Sequence, residues 1–433
     1  MLKFSNKNLL ILGSNVGTVD IINYAKSNGA KTIVADYYDI EKSPAKQLAD
    51  YHEEVSTNDI KGLINLCDRY KIDGIISGIS EFNLLKVQEL CSILKKPNYF
   101  NKEQWEKISN KDLFRKLCIE YGVSSPRIIY SGSNLDEVKS QDIEYPVIVK
   151  PVDGSMSQGV SICKYADELN NAFIEALKYS NSKKVIIEEF FNGDEFTAHY
   201  SIVNNIVNLA CMDNRYPVSI NEGTVTTIPI ARVYPSTFLD KYLMSENEKV
   251  IKMIESLNIK NGICFIQGLY NKEKDKFCIF EGGLRCAGEA PYRFIEKTNG
   301  INFLNPIVDL SLGVETNDYD HLKENPFLNE KKCGVISFAT KGGEVGEISG
   351  LEETVKKVNS LVDYECRYLK GDITPSGNTL RQLMIRFVLV CDSIEQMKSD
   401  ISFINSNINV LNTRKENLVI KFNQERLNDE FKI

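Results

Sequence analysis

Short apolar runs alternate with an amphipathic segment at the start of the chain, and this pattern constrains the fold more than any other feature. Residues 8–13 and 31–36 are apolar runs of strand length, and residues 75–77 lie in a third such run. Between the first two runs, residues 18–27 have the periodicity of a helix. Strands that alternate with helices predict a parallel, doubly wound sheet.

The turn after the first apolar run is rich in glycine. Gly13 and Gly17 flank this turn, and Asp36 follows about 20 residues further on, a spacing typical of dinucleotide-binding turns. Glycines there let the backbone approach a ligand at a helix N-terminus. However, the third glycine of that fingerprint is missing. A tight strand-to-helix turn without a dinucleotide is therefore the alternative interpretation.

Composition excludes several classes of protein. The chain has 433 residues, which is enough for about three domains. Its formal net charge of −7 gives no general basic field for nucleic acid, which we therefore do not expect as a partner. The apolar run near the N-terminus is broken at Gly13, so we expect neither a signal peptide nor a membrane span.

Cysteine and histidine usage points to a reducing compartment and to oxygen ligands. The 11 cysteines are scattered without a C-x-x-C pair, which favours free thiols and a cytoplasmic location. Only three histidines occur, so an imidazole zinc site or a histidine-driven nucleophile is not expected. A metal ion would have to be held mainly by oxygen atoms.

A strand that ends in lysine is followed by a loop of small residues and a second strand. Lys150 ends the first strand, at residues 145–151. The loop offers flexible backbone and hydroxyl donors at Gly154, Ser155, Ser157 and Gly159. Backbone N–H groups, hydroxyls and a fixed cation together suit a polyphosphate. The alternative is a flexible hairpin turn with a surface lysine.

Two oxygen-bearing side chains occupy a predicted hairpin further along the chain. Gln267 and Glu281 are 14 positions apart, an even number that allows them to lie opposite each other on one face. Such a pair of oxygen ligands suits Mg²⁺. Arg285 follows directly and could neutralise a transferring phosphoryl group. Taken alone, Glu281 could equally be a strand-end carboxylate that faces water.

The order of these segments resembles the ATP-grasp superfamily over most of the chain. The resemblance implies a mixed α/β and α+β fold with a Rossmann-like N-terminal domain at residues 1–100. It implies a two-lobed nucleotide-binding module at residues 101–315 and a small α+β domain at residues 316–433. Gln267 at the first metal position is similar to the carbamoyl phosphate synthetase branch, whereas Gly283 stands where the family usually has an asparagine ligand. The second metal ion is therefore in question.

The same resemblance implies roles for individual residues. Lys111 and Lys150 resemble the two lysines that reach the phosphates and the adenine side of ATP, and the loop at residues 154–159 resembles the mobile phosphate loop. The hinge beside the adenine corresponds to Glu188, Glu189, Phe190 and Phe191, and Glu195 to the carboxylate that binds the ribose. Gln267 and Glu281 would hold the metal ion. Arg285 and Lys150 would be the catalytic cations.

The residues that bind the second substrate are less defined. Arg215 could bind a substrate carboxylate or be an exposed arginine, and Glu289 and Arg293 could face the acceptor. His199 could touch phosphate or be a hydrogen-bonded strand histidine.

The implied activity is that of a carboxylate–amine ligase. It would form an amide through an acyl phosphate with ATP and Mg²⁺ or Mn²⁺, and amino acids are the preferred substrate class. One alternative is an enzyme that forms carboxyphosphate from bicarbonate, and another is a non-catalytic ATP-binding regulator. A third is a nucleotide-dependent dehydrogenase that binds its cofactor at Gly13 and Gly17. A homodimer is the family-level expectation for its assembly.

Overall fold

The computed structural model describes residues 2–139, 142–154, 158–219, 227–377 and 379–428. Ser155 and Ser157 of the predicted phosphate loop lie outside these residues. Of the described helices, none combines the length and the apolar content that crossing a bilayer requires.

The N-terminal part is a parallel sheet covered on both faces. Its elements are β1 (Asn8–Leu12), α1 (Thr18–Ser27), β2 (Lys31–Asp36), α2 (Pro44–Leu48), β3 (Tyr51–Glu54), α3 (Ile60–Tyr70), β4 (Gly74–Ser77) and α4 (Glu81–Leu94). The strand order is β3-β2-β1-β4, and all pairs are parallel. Leu9 and Leu10 of β1 join different apolar cores, so both faces of the strand are buried. This confirms the doubly wound arrangement predicted from the sequence.

The glycine turn between β1 and α1 is tightly packed. Gly13 and Gly17 both have positive φ, at +80° and +91°, in the left-handed region that favours glycine. A Cβ at Gly13 would lie 2.3 Å from Nδ2 of Asn83, so this side chain already fills the space. The packing supports the tight-turn interpretation of the two glycines.

The next segment forms a small lobe. It contains α5 (Lys102–Ser109), α6 (Lys111–Glu120), β5 (Ile128–Gly132), α7 (Leu135–Lys139), β6 (Val147–Pro151), β7 (Ser161–Cys163), α8 (Leu169–Tyr179) and β8 (Val185–Glu189). The strands form an antiparallel sheet of order β5-β8-β6-β7, which we call the small sheet. Helix α8 buries Phe173 and Ala176 against Val147 and Val149 of β6.

A larger lobe follows. It contains β9 (Asp194–Val203), β10 (Ile206–Met212), β11 (Asn214–Val218), β12 (Ile228–Tyr234), α9 (Leu239–Ser245), α10 (Asn247–Glu255), β13 (Gly262–Asn271), β14 (Lys276–Gly283), α11 (Tyr292–Asn299) and α12 (Asn305–Ser311). Strands β10-β9-β13-β14 form an antiparallel sheet, which we call the large sheet.

The C-terminal part completes a third antiparallel layer. It contains β15 (Lys332–Thr340), β16 (Gly343–Ser349), α13 (Leu351–Lys357), β17 (Leu361–Cys366), β18 (Ile373–Thr374), β19 (Leu383–Cys391), α14 (Ile394–Asn407), β20 (Asn409–Asn412) and β21 (Val419–Ile420). The main sheet has the order β11-β12-β15-β19-β17, with β21 paired to β15. Strand β12 therefore pairs with the C-terminal strand β15, and β11 joins the same sheet through β12, although both strands lie within residues 101–315. The domain ranges drawn from the sequence stay a prediction.

Candidate functional site

A buried group of charges joins the small sheet to helix α6. Glu188 on β8 accepts a hydrogen bond from Nε of Arg115 at 2.5 Å, and its other oxygen contacts Nζ of Lys150 on β6. Arg115 is fully buried, and Glu188 and Lys150 are nearly so. Arg115 also donates a hydrogen bond of 2.6 Å to the carbonyl oxygen of Phe280. Phe280 lies on β14 of the large sheet. One guanidinium therefore links the two lobes beside Glu281.

Burial and pairing set the protonation of this group. Burial lowers the pKa of Lys150 to about 8, although the nearby Glu188 carboxylate acts in the opposite direction. For Glu188, burial would raise the pKa, but Lys150 and Arg115 together hold it below its usual value. The sequence assigned Glu188 to the adenine hinge. That role concerns the backbone and stays a prediction, while the side chain of Glu188 pairs with the two cations.

Lys111 anchors the predicted phosphate loop. The Asn110 side chain caps α6 by accepting hydrogen bonds from the backbone N–H groups of Asp112 and Leu113, which places Lys111 in the first turn. Its Nζ donates to the carbonyl oxygen of Gly154 at 2.7 Å. The structure therefore places Lys111 beside Gly154, and its role at the phosphates stays a prediction. The φ of Gly159 at the far end of the loop is +70°, a conformation suited to glycine.

The backbone of the predicted hinge follows β8. The Glu189 N–H donates to the Arg127 carbonyl, and the Phe190 N–H donates to the Pro146 carbonyl at 3.3 Å. Within the described part of the chain, the Phe191 N–H has no such partner. Among these three amides, Phe191 is thus the donor that remains available to a ligand.

The two predicted metal ligands lie opposite each other. Gln267 on β13 and Glu281 on β14 are direct partners in the antiparallel register, so the even spacing led to the correct pairing. Both side chains are half-buried. Within the described ranges, neither has a hydrogen bond or an ion pair that would occupy its oxygens. An amide oxygen and a carboxylate oxygen are ligand types that Mg²⁺ accepts, so the chemistry of this pair fits that ion.

Arg285 lies beside this pair but is held by other groups. Its guanidinium is 4.7 Å from the ring centroid of Phe265, and its Nε donates to the Glu81 carboxylate at 2.9 Å. Glu81 is the first residue of helix α4, which belongs to the N-terminal part. The predicted catalytic arginine is thus placed where the large sheet meets the N-terminal part.

Glu289 belongs to a second buried network of charges. Its Oε1 lies 3.0 Å from Nη1 of Arg232 and 3.2 Å from Nε2 of His199. The same Nη1 of Arg232 contacts Oδ2 of Asp213 at 2.6 Å. Burial raises the pKa of Asp213, whereas Arg232 and His199 outweigh burial and lower that of Glu289. His199, Asp213 and Glu289 could also be read as metal ligands, but Arg232 already supplies the positive charge there.

The remaining predicted residues are engaged in ion pairs. Arg215 lies 3.2 Å from Oε2 of Glu195, so the predicted ribose carboxylate and the predicted substrate arginine are partners. Arg293 donates to Asp20 of α1 at 2.8 Å and contacts Asp363 of β17. It therefore lies at the junction of the N-terminal and C-terminal parts. The roles proposed for these residues stay predictions.

Sequence reasoning missed three residues that shape the site. Arg232 could have been found, because it is the one charged residue in the otherwise apolar strand β12, a pattern that indicates a buried ion pair. Arg115 had no such signal, since it lies on a helix with several other charged residues. In the sequence Phe265 is an ordinary apolar residue of a strand. Its contact with Arg285 is formed only in the folded protein.

The predicted site residues lie on two antiparallel sheets, the small sheet and the large sheet, and on helix α6. Residues 110–317 match the family described as "Carbamoyl-phosphate synthase L chain, ATP binding domain". Among solved structures, the L-amino acid ligase from Bacillus licheniformis has a TM-score of 0.77 at 18% identity, over 94% of this chain and 99% of that one. Phosphoribosylglycinamide synthetase from Anaerococcus prevotii has a TM-score of 0.73 at 19% identity, with the same coverage. The match over residues 110–317 and the similar fold of these two structures agree with the resemblance to the ATP-grasp superfamily that the motifs predicted.

Curated relatives match over shorter segments. The formate-dependent phosphoribosylglycinamide formyltransferase of Prochlorococcus marinus strain MIT 9312 is 29% identical over 280 residues, which are 62% of this chain and 66% of that protein. The same enzyme of strain MIT 9515 is 32% identical over 206 residues, 45% of this chain and 50% of that protein. This chain thus spans between half and about two thirds of these two relatives.

Proposed function

We propose that this protein is an ATP-dependent, ADP-forming ligase that joins a carboxylate to an amine. The observation that carries the proposal is the Gln267–Glu281 pair, whose oxygens have no partner among the described residues and which lies on the same hairpin as Phe265, the ring that contacts Arg285. Sites of this composition suit a triphosphate whose charge is shared between a divalent cation and basic side chains. The match to an ATP-binding domain family over residues 110–317 supports the same activity.

Each basic residue has a defined place in the proposed reaction. Lys111 holds the phosphate loop through Gly154, and Lys150 presents a positive charge oriented by Glu188. Arg285 lies beside the hairpin that carries Gln267 and Glu281. We assign the metal ion to these two side chains. Bound Mg²⁺ or Mn²⁺ would supply positive charge to the phosphate oxygens.

The reaction takes place in two steps. A substrate carboxylate oxygen attacks the γ-phosphorus of ATP, the bond to the bridging oxygen breaks, and ADP leaves. The amine nitrogen then attacks the carbonyl carbon of the acyl phosphate, inorganic phosphate leaves, and the amine loses a proton. The cations reduce the repulsion between the two anions that meet in the first step.

Amino acids are our preferred carboxylate substrates, and the L-amino acid ligase among the structural neighbours supports this choice. The curated relatives favour a second candidate, because their names describe formate and a phosphoribosylated amine. Bicarbonate, as in a carboxyphosphate-forming enzyme, is a third. The three candidates share the first step and differ only in the carboxylate that attacks ATP.

A trapping assay separates these candidates without knowledge of the natural amine. The protein is incubated with ATP, Mg²⁺ and hydroxylamine, and ADP and hydroxamate are measured with pooled amino acids, formate or bicarbonate. Amino acid hydroxamates would support the preferred substrate class, and formohydroxamate the second candidate. ADP release with bicarbonate alone would support the third. ATP binding without ADP release under any condition would contradict the ligase and favour a regulator.

A further inference from the structure

Phe265 and Gly283 form a matched pair on the hairpin that carries the metal ligands. They are direct partners in the β13–β14 register and lie two residues along from Gln267 and Glu281, so all four residues share one face of the sheet. A Cβ at Gly283 would lie 2.5 Å from Cε1 and 2.7 Å from Cζ of Phe265. The ring therefore occupies the space above Gly283, and any other residue there would displace it.

The Phe265 ring also contacts the guanidinium of Arg285. Phe265 is 3% exposed, and the Arg285 guanidinium lies over its ring at 4.7 Å from the centroid. The hydrogen bonds of the Arg285 side chain to other described residues go to groups outside the hairpin. Its Nε is bound to Glu81, and its Nη1 donates to the Cys286 carbonyl at 3.1 Å. The ring is thus the contact that ties the arginine side chain to the sheet of the metal ligands.

We propose that Phe265 is a positioning residue that sets Arg285 for phosphoryl transfer, and that Gly283 is required because it makes room for this ring. The inference rests on the proposed function. An arginine side chain has several rotatable bonds, and the ion pair with Glu81 alone would draw it towards the N-terminal part. The flat face of the ring fixes the guanidinium by a cation–π contact and by packing.

The test compares nucleotide binding before and after a phosphoryl mimic is added. Calorimetry measures the affinity for MgADP alone and for MgADP with beryllium fluoride, which occupies the place of the γ-phosphoryl group. For Phe265→Leu we expect the ADP affinity to stay within about twofold. Beryllium fluoride should increase the affinity of the wild-type protein for MgADP, and we call this increase the gain. In Phe265→Leu we expect the gain to fall by about tenfold, because the ring no longer positions the Arg285 guanidinium.

Three further variants make the test specific. Phe265→Tyr keeps the aromatic face and should keep the gain within about twofold, whereas Ile266→Val, on the opposite face of β13, should not change it. Gly283→Ala should displace the ring and lower the gain as Phe265→Leu does. Because both changes act on the same contact, the double variant should lose no more than either single one.

The outcomes separate the inference from the proposed function. An unchanged gain in Phe265→Leu, or an equal loss in Phe265→Tyr, would overturn the positioning role. If Phe265→Leu does not fold, Gly283→Ala against Phe265→Tyr decides by the same criterion. Failure of the wild-type protein to bind MgADP would contradict the proposed function itself.

Discussion

Two groups of polar residues in this protein are built in opposite ways. The buried group of Lys150, Glu188 and Arg115 matches every charge with a partner inside the protein. The Gln267–Glu281 pair is half-buried and has no such partners in the described ranges. Matched, buried charges orient one another, whereas unmatched oxygens at a half-open face are available to a ligand. The contrast separates charges whose geometry is fixed inside the protein from oxygens that remain available to a metal ion.

The largest effect is expected from breaking the matched group. Arg115→Met should lower the free energy of unfolding by about 3–5 kcal/mol, because it leaves Glu188 buried with one partner fewer. Chemical denaturation measures the change. The control is Lys116→Met, which removes an exposed partner of Asp112 on the same helix and should cost less than about 1 kcal/mol. Equal losses in both variants would contradict the contrast drawn here.

The unmatched pair should affect activity and leave stability almost unchanged. Glu281→Ala should slow ADP release by about 100-fold or more, equivalent to about 2.7 kcal/mol, while the free energy of unfolding changes by less than about 1 kcal/mol. Glu273→Ala, in the turn of the same hairpin, is the control and should keep full turnover. Full turnover in Glu281→Ala would remove the metal assignment.

A pH titration sharpens the comparison through Lys150. Because burial lowers its pKa to about 8, the ammonium loses its proton as the pH rises through this value, and the attraction for phosphate is lost. Between pH 8 and pH 9.5 the affinity for ATP, measured by calorimetry, should fall about tenfold. Lys150→Arg keeps its charge in this range and should bind independently of pH. A flat profile in the wild-type protein would place Lys150 away from the phosphates.

The smallest effect is expected at the partly exposed pair of Arg215 and Glu195. Arg215→Gln should change the free energy of unfolding by less than about 1 kcal/mol, because solvent screens the pair. Chemical denaturation of Arg215→Gln and of Arg115→Met under the same conditions compares the losses in the free energy of unfolding. A loss of several kcal/mol would place Arg215 among the matched, structural charges.

Much of the architecture could be predicted from local patterns. The apolar runs around α1 predicted the parallel sheet, and the spacing of Gln267 and Glu281 predicted their pairing. Strand β3 was missed, because its residues are mostly exposed and polar and form no apolar pattern. Strands β11 and β12 were assigned to the central module by position, although β12 pairs with the C-terminal strand β15 and β11 pairs with β12. Such pairing depends on contacts distant in sequence, which periodicity does not contain.

The sequence by itself determined the alternation of the first strands with helix α1, the small-residue loop after Lys150 and the opposed residues of the hairpin. These features depend on neighbours along the chain or on the regular geometry of a hairpin. Only the tertiary structure decided that Glu188 joins Lys150 to Arg115, that Arg232 joins Asp213 to Glu289, and that Phe265 carries Arg285. Side chains from separate elements meet in these contacts, and their geometry is set by packing rather than by spacing in the sequence.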